Sequence, residues 1–519
     1  MATLDTRSGR EIYSHPPCKP ENVELLPYRD NAPVASTSLP SVGATTVISD
    51  RIHAPDYAIQ FSKASENLRI SRFGPPTVFS RLKCHIRRSA SFFFSFSFLG
   101  SLLVAALTKD LLTVIGSWIV RRPLAGRRVF LKEEQERAKY RTRRDKVMVL
   151  DIGYYASLVG LEVQRVDVIA EDRFVLDLFR IIDPTDTEAK RRSRYPVLLI
   201  HGLLQSAGAF CVNEEDSLAF FLCKSGYDVW LGNNRCGFKY KHLDFHYNDP
   251  RMWEWDVRDM GTKDLPAFVD HILHVTGHEK LGLVCHSQGT AQTFLALSTR
   301  YRPELGLKIS AFCALAPAVY AGPLVDRPFF KFMRYLHPRL YRLLFGIHAF
   351  IPTMITLKRL LPAPMLQVCS YAMFHFMFNW TDLRWDKFLE GRMFQFSPVY
   401  ISAESMRWWL GRDGFATRRC IFEDNSHADP WFDERCPPMA LWIAENDSLV
   451  DGVQLLERLE NSEPHVAVVS KVVLHGYEHL DVLWALDAVD LVGQGVKQVL
   501  WETAWRRAEF TCPAGCEER

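Results

Sequence analysis

Through residues 1–85 the apolar positions keep neither a helical nor a strand period, and Pro16, Pro17, Pro20, Pro33 and Pro40 interrupt the short runs that occur. Such a stretch buries too little surface to offset its ordering entropy, so a disordered polar tail is expected. A secretory signal would carry an apolar core within the first ~30 residues, and none is present. The first long apolar run extends from Ser89 to Thr108, resumes after Lys109-Asp110 as Leu111 to Val120, and is flanked by Arg87, Arg88, Arg121, Arg122, Arg127 and Arg128. About 20 helical residues cross the hydrocarbon of a bilayer, so residues 86–122 are expected to form a membrane anchor. Basic residues at both ends leave its orientation open. A single spanning helix and a hairpin bent near Lys109-Asp110 both fit, and the remaining alternative is a buried core helix. Residues 123–147 are charge-dense and permit a helix rich in Lys132, Arg137, Lys139, Arg141, Arg143 and Arg144. That helix is either solvated or rests on anionic headgroups.

From residue 148 the rhythm changes again. Short β-rich runs at Val197–Ile200, Val229–Leu231, Leu281–Val284, Ile309–Leu315, Leu441–Ile443 and Val466–Leu474 each end in small or polar residues and precede helical stretches. This alternation predicts an α/β fold, a mostly parallel sheet covered by helices, over residues 148–505, with a closing tail at 506–519. Chemistry is expected in the loops at the C-terminal ends of the strands.

Composition narrows the class. Of 519 residues 48% are hydrophobic, and 63 Lys and Arg stand against 60 Asp and Glu. Collagen-like, wholly disordered and coiled-coil chains are excluded, and the formal charge of +3 argues against nucleic acid as partner. The balance is an average, because the first 150 residues carry about 24 basic and 13 acidic side chains, which makes a basic leader and a mildly acidic remainder. The 12 cysteines show neither a Cys-x-x-Cys pair nor a disulfide rhythm. No metal site and no cofactor is expected, and most cysteines should be buried thiols, a bridge among Cys369, Cys420 and Cys436 being the one left open.

The segment Leu281 to Thr290 (LGLVCHSQGT) is a strand running through Cys285-His286-Ser287-Gln288-Gly289 into a helix. A serine on so sharp a turn is pushed clear of the sheet, with the helix N-terminus facing the reacting oxygen. Small residues are required two positions either side of it. Gly289 meets that need, and Cys285 stands where a glycine is usual. Upstream, the strand Pro196–Ile200 ends in His201-Gly-Leu-Leu-Gln205, whose turn can bring the amide of Leu203 beside that of Gln288 as an oxyanion hole. Downstream, the strand from Met439 to Ala444 delivers Glu445-Asn-Asp447 and then Asp451, and the strand ending at Leu474 leads to His475 and His479. Ser287, Asp447 and His479 occur in the order nucleophile, acid, base, each after a strand. His479 would accept the serine proton and Asp447 would orient it, with His475 and Asp451 as competing assignments.

Taken together, Gly226 to Arg235 (GYDVWLGNNR), the HGLLQS turn, the HSQGT elbow, the END segment and the HLD around His479 resemble the acid lipase family of α/β-hydrolases. That family includes gastric and lysosomal lipases and membrane-anchored fungal steryl ester hydrolases. The similarity covers roughly residues 148 to 500, and Asp151 to Pro184 resembles the family's N-terminal lipase segment. The resemblance implies an α/β-hydrolase fold and hydrolysis of a neutral lipid ester, a steryl ester or triacylglycerol, by Ser287, Asp447 and His479 with Leu203 and Gln288 as oxyanion donors. Cys285 and Ala444-Glu445 depart from its usual glycines.

The interval between Ala316 and Asp447 is far longer than a strand-to-helix connection requires. Its apolar and aromatic stretches, Phe329 to Leu361 and Met365 to Trp380, suggest a helical cap inserted at about 320–435 that shelters the ester chains. The expected partners are a neutral lipid ester and a membrane or lipid-droplet surface. Endoplasmic reticulum or lipid droplet is the expected location, with plasma membrane as the other option. An acyltransferase on the same residues, or a non-catalytic lipid-associated scaffold, are the rival functions.

Overall fold

The computed structural model describes residues 73–74, 77–120, 128–142, 147–423 and 429–517. The expected tail therefore lies largely outside the described residues. Its last positions belong to α1 (Val78–Val120), a continuous 43-residue helix that begins before the expected anchor and runs through Lys109-Asp110 without interruption. The hairpin alternative has no turn there to support it. A short helix, α2 (Leu131–Tyr140), follows.

Eight strands form one sheet: β1 (Glu162–Ile169), β2 (Val175–Ile182), β3 (Pro196–Ile200), β4 (Asp228–Gly232), β5 (Leu281–His286), β6 (Ile309–Leu315), β7 (Met439–Ala444) and β8 (Val468–Leu474). Their spatial order is β1-β2-β4-β3-β5-β6-β7-β8. β1 and β2 pair antiparallel to each other and β2 to β4, while β3 to β8 are mutually parallel. This is the mostly parallel sheet expected from the alternation, in the α/β-hydrolase form that the resemblance implies. The five central strands from β3 to β7 read as mostly apolar runs because helices cover both faces, and every residue of them is buried.

Alternate residues feed two cores. Leu198, Ile200, Leu283, Cys285, Phe312, Ala314 and Leu441 pack on one face. Val197, Leu199, Val284, Cys313, Leu315, Ala440 and Trp442 pack on the other. Helix α3 (Gln288–Leu297) follows β5 directly and is buried along its whole length.

Between β6 and β7 lies the long insertion, with helices α4 (Pro328–Tyr335), α5 (Pro338–Leu344), α6 (Thr353–Leu360), α7 (Ala363–Phe378) and α8 (Ala403–Leu410). α1 packs against α5, α6 and α7. Phe94 and Phe98 meet the Phe345 ring edge-on, each at 5.5 Å between centroids. A core helix would be buried all round, whereas α1 buries one side only.

The basic segment after α1 forms an exposed helix, and its described arginines make ion pairs. Arg128 pairs with Glu134 at 2.9 Å and Asp382 at 3.0 Å, Arg137 with Asp216 at 2.7 Å, and Arg141 with the buried Asp386. The closing residues dock as well: the Thr511 amide donates to Ser193 O at 2.8 Å and the Ala514 amide to Ser225 O at 2.7 Å. All 11 described cysteines are unpaired, including Cys369, Cys420 and Cys436.

Candidate active site

The β5-to-α3 turn holds Ser287 at φ 52°, ψ −116°, a left-side conformation that only a tightly determined turn sustains. A Cβ on Gly289 would lie 2.6 Å from Ile200 O and 2.9 Å from His201 O, so only glycine fits where α3 crosses β3. Cys285, by contrast, lies between Ile200 of β3 and the small Ala314 of β6 and is fully buried. Its Sγ is 3.3 Å from Thr293 Oγ1. A compact side chain is accommodated there, which accounts for the departure from glycine.

Ser287 Oγ is 2.7 Å from His479 Nε2, and His479 Nδ1 is 2.6 Å from Asp447 Oδ2. The other Asp447 oxygen accepts the amides of Leu449 at 2.9 Å and Val450 at 3.2 Å, which fixes the carboxylate. The structure thus brings together three residues whose chain separation exceeds 190 positions, each at the C-terminal end of its strand. The competing residues are engaged elsewhere. Asp451 caps the helix Gly452–Ser462 by accepting from Gln454 N at 2.9 Å. His475 is exposed and faces Glu445 at 3.1 Å.

The His201-Gly202 turn abuts the elbow: a Cβ on Gly202 would stand 3.1 Å from Ser287 Cβ. His201 accepts the Asn234 amide on Nε2 at 3.2 Å, so its Nδ1–H donates to Gly202 O at 2.9 Å. Burial pushes its pKa down to about 4, consistent with this neutral ring. Asn234 in turn takes Gln292 of α3 on its side-chain oxygen at 3.0 Å. The two motifs HGLLQ and GNNR are therefore one device that sets the turn carrying Leu203. The Gln288 amide is the first of α3, where no intrahelical carbonyl reaches it. Gln288 is held by its side chain, which accepts Trp409 Nε1 of α8 at 2.9 Å.

Sequence reasoning missed the contribution of the insertion. Trp380, just past α7, lies flat against His479, with ring centroids 5.2 Å apart and planes within 9°. Phe378 stacks on the far side of Trp380 at 4.3 Å. Asp481 accepts Trp385 Nε1 and the Glu478 amide, both at 2.7 Å, tying the His479 loop to the insertion. Burial raises its carboxyl to about 7. His286, also fully buried and pushed well below its usual pKa by desolvation, faces Gln205 Oε1 at 3.0 Å from Nδ1 and His479 O at 3.2 Å from Nε2, and as a neutral ring donates to one of the two. No local pattern signalled any of these contacts.

Ser287 is 6% exposed and His479 2%. Surface cavities of about 310 Å³ beside Arg180 and Arg191 and about 280 Å³ beside Trp505 contain none of these residues. Ser287 and His479 are closed off from solvent beside the insertion.

An elbow serine, an imidazole and a carboxylate on an α/β-hydrolase sheet define a hydrolase of the lipase type. Comparison with known proteins agrees. Residues 152–214 match the family model described as partial alpha/beta-hydrolase lipase region. The chain is 37% identical over 388 residues to sterol esterase 2 of Saccharomyces cerevisiae, covering 67% of this chain and 71% of that one. It is 30% identical over 368 residues to the gastric triacylglycerol lipase of Rattus norvegicus, covering 65% and 88%. With lipase member K of Homo sapiens it shares 29% over 366 residues, covering 65% and 88%. The chain belongs to the acid lipase family of α/β-hydrolases, and it is a carboxylic ester hydrolase.

Proposed function

We propose that this hydrolase is membrane-associated and cleaves neutral lipid esters, steryl esters or triacylglycerols, through an acyl-enzyme on Ser287. The observation that carries the reading is the relay Ser287–His479–Asp447, at 2.7 and 2.6 Å, on a strained elbow. Ser287 Oγ attacks the ester carbonyl while its proton passes to His479 Nε2. Asp447 stabilises the imidazolium, and the oxyanion faces the amides of Leu203 and Gln288, each worth roughly 2.7–4 kcal/mol in the transition state. The sterol or glyceride alcohol leaves with the proton, and His479 then activates water to release the fatty acid. The printed names of the relatives, a sterol esterase and triacylglycerol lipases, support lipid esters as the substrate class. Membrane association is supported by the length and apolarity of α1.

The test compares membranes carrying the wild-type chain with those carrying Ser287→Ala, assayed on a steryl oleate and on triolein. A fall of about 10³ or more on whichever ester the wild type hydrolyses is expected. Equal activity in the two preparations refutes the assignment, and the ratio of the wild-type rates identifies the preferred ester.

A further inference from the structure

α1 carries two faces. Ser91, Phe94, Ser95, Phe98, Leu102 and Ala106 recur at three- and four-residue spacing and turn toward the insertion, buried or half-buried. Ser91 lies against Gly346, and Phe98 stacks on Phe332 at 6.1 Å. The opposite stripe, Phe79, Leu82, Ile86, Phe93, Val104 and Leu111, is exposed, and it carries no charged residue, with Ser97 and Gly100 also on the same face. Phe93, Val104 and Leu111 are 70%, 65% and 58% exposed. Arg81, Lys83, Arg87, Arg88, Lys109 and Asp110 all fall outside that stripe at 3.6 residues per turn.

This geometry conflicts with a helix that crosses a bilayer. The run Ser89–Thr108 is about 30 Å long, which is only just the hydrocarbon thickness. Within it Ser91, Phe94 and Phe98 touch Gly346, Phe345 and Phe332 of the insertion, so the insertion helices are fastened to this stretch. If it crossed, those helices would enter the hydrocarbon with Arg339 and Arg359, which is costly for each charge, and with Arg342 paired to Glu404. The remaining apolar piece, Leu111 to Val120, reaches only about 15 Å and cannot span alone. A long helix with one apolar stripe and charges held to the other sides is the form taken by helices that lie within an interface.

We infer that α1 lies along a lipid surface rather than across a bilayer, with its outer stripe embedded in a single phospholipid leaflet. Exposed Leu343 of α5, Leu360 of α6 and Val368 of α7 extend this apolar surface on the helices bordering α1. The inference rests on the membrane association proposed above and changes its topology.

The full chain is reconstituted into vesicles of phosphatidylcholine with an anionic phospholipid, carrying a nitroxide amino acid at Phe93, Val104 or Leu111, and label depth is read from oxygen and nickel accessibility. An in-plane α1 places all three within about 5 Å of one depth. A crossing helix separates Phe93 from Leu111 by about 27 Å along the normal, and that result overturns the inference. In parallel, Phe93→Asp with Val104→Asp should lower binding at least tenfold, both to vesicles and to triolein droplets coated with a phospholipid monolayer, while turnover of a soluble short-chain ester stays within twofold. Unchanged binding of this variant to both surfaces also overturns it. Failure of the wild type to turn over the soluble ester would instead strike the serine-hydrolase reading and leave the depth measurement standing.

Discussion

Replacing Trp380 by Leu removes the indole from the face of His479 without touching the hydrogen bonds to Ser287 and Asp447. The planes lie within 9° at 5.2 Å, so the ring quadrupole points at the imidazole. A neutral imidazole gains little from that face, but the imidazolium formed as Ser287 attacks gains a desolvated cation–π interaction of about 0.5–2 kcal/mol. At 1.36 kcal/mol per decade, that is about a 2- to 30-fold loss of kcat, with tenfold as the central expectation. Trp380→Phe keeps an aromatic face and should recover part of the loss. Truncating a buried tryptophan also costs roughly 3–5 kcal/mol of stability, so thermal unfolding of each variant sets the assay temperature. The assay is kcat and KM on a soluble short-chain ester, which separates the ring's effect on His479 from packing of long acyl chains. A raised KM with unchanged kcat would refute the argument and leave Trp380 as a wall of the substrate seam.

Three further outcomes follow from the site. Cys285→Gly restores the usual elbow residue but empties a buried position and loosens β5, so a loss of about 1–2 kcal/mol in urea denaturation is expected with kcat within twofold. Gly289→Ala drives a Cβ into two backbone carbonyls and should cost about 3 kcal/mol or more, read as a collapse of the thermal transition. Asp481 holds its proton to about 7 in the folded chain and releases it at its ordinary 3.8 when unfolded, so its contribution to stability is present at low pH and lost as pH rises through 7. Asp481→Asn should therefore gain stability over the wild type on going from pH 5 to 8 in denaturant titrations. A gap between the two proteins that stays constant with pH would refute that reasoning.

The strands β3, β5 and β7 were legible because each is a buried apolar run that ends close to its candidate residue, whereas β8 showed as a β-branched run of alternating exposure. β6 was read at its observed bounds, Ile309–Leu315, and β5 lost only its last two residues, Cys285 and His286, to the elbow motif. The hairpin of β1 and β2 was not read as strands. β1 alternates weakly, with most of its residues exposed, and carries Glu162, Arg165 and Asp167 within it. Ser287, Asp447 and His479 were recoverable because local strand-to-turn context marks each of them. Trp380 and Trp409 were not, since their roles arise from contacts across about 100 residues of insertion and no spacing encodes which tryptophan meets which loop. The ion pairs of the basic segment were out of reach for a related reason: sequence shows the arginines, but Asp216, Asp382 and Asp386, which pair with them, lie far along the chain.

The helix proposed to lie on lipid also packs against the insertion, and Arg128, Arg137 and Arg141 fasten the next stretch to the hydrolase. An enzyme held this closely has a fixed reach. It would draw its esters from the leaflet in which it is embedded and could not lean across a gap to a neighbouring organelle, so its working range would be set by where that leaflet goes.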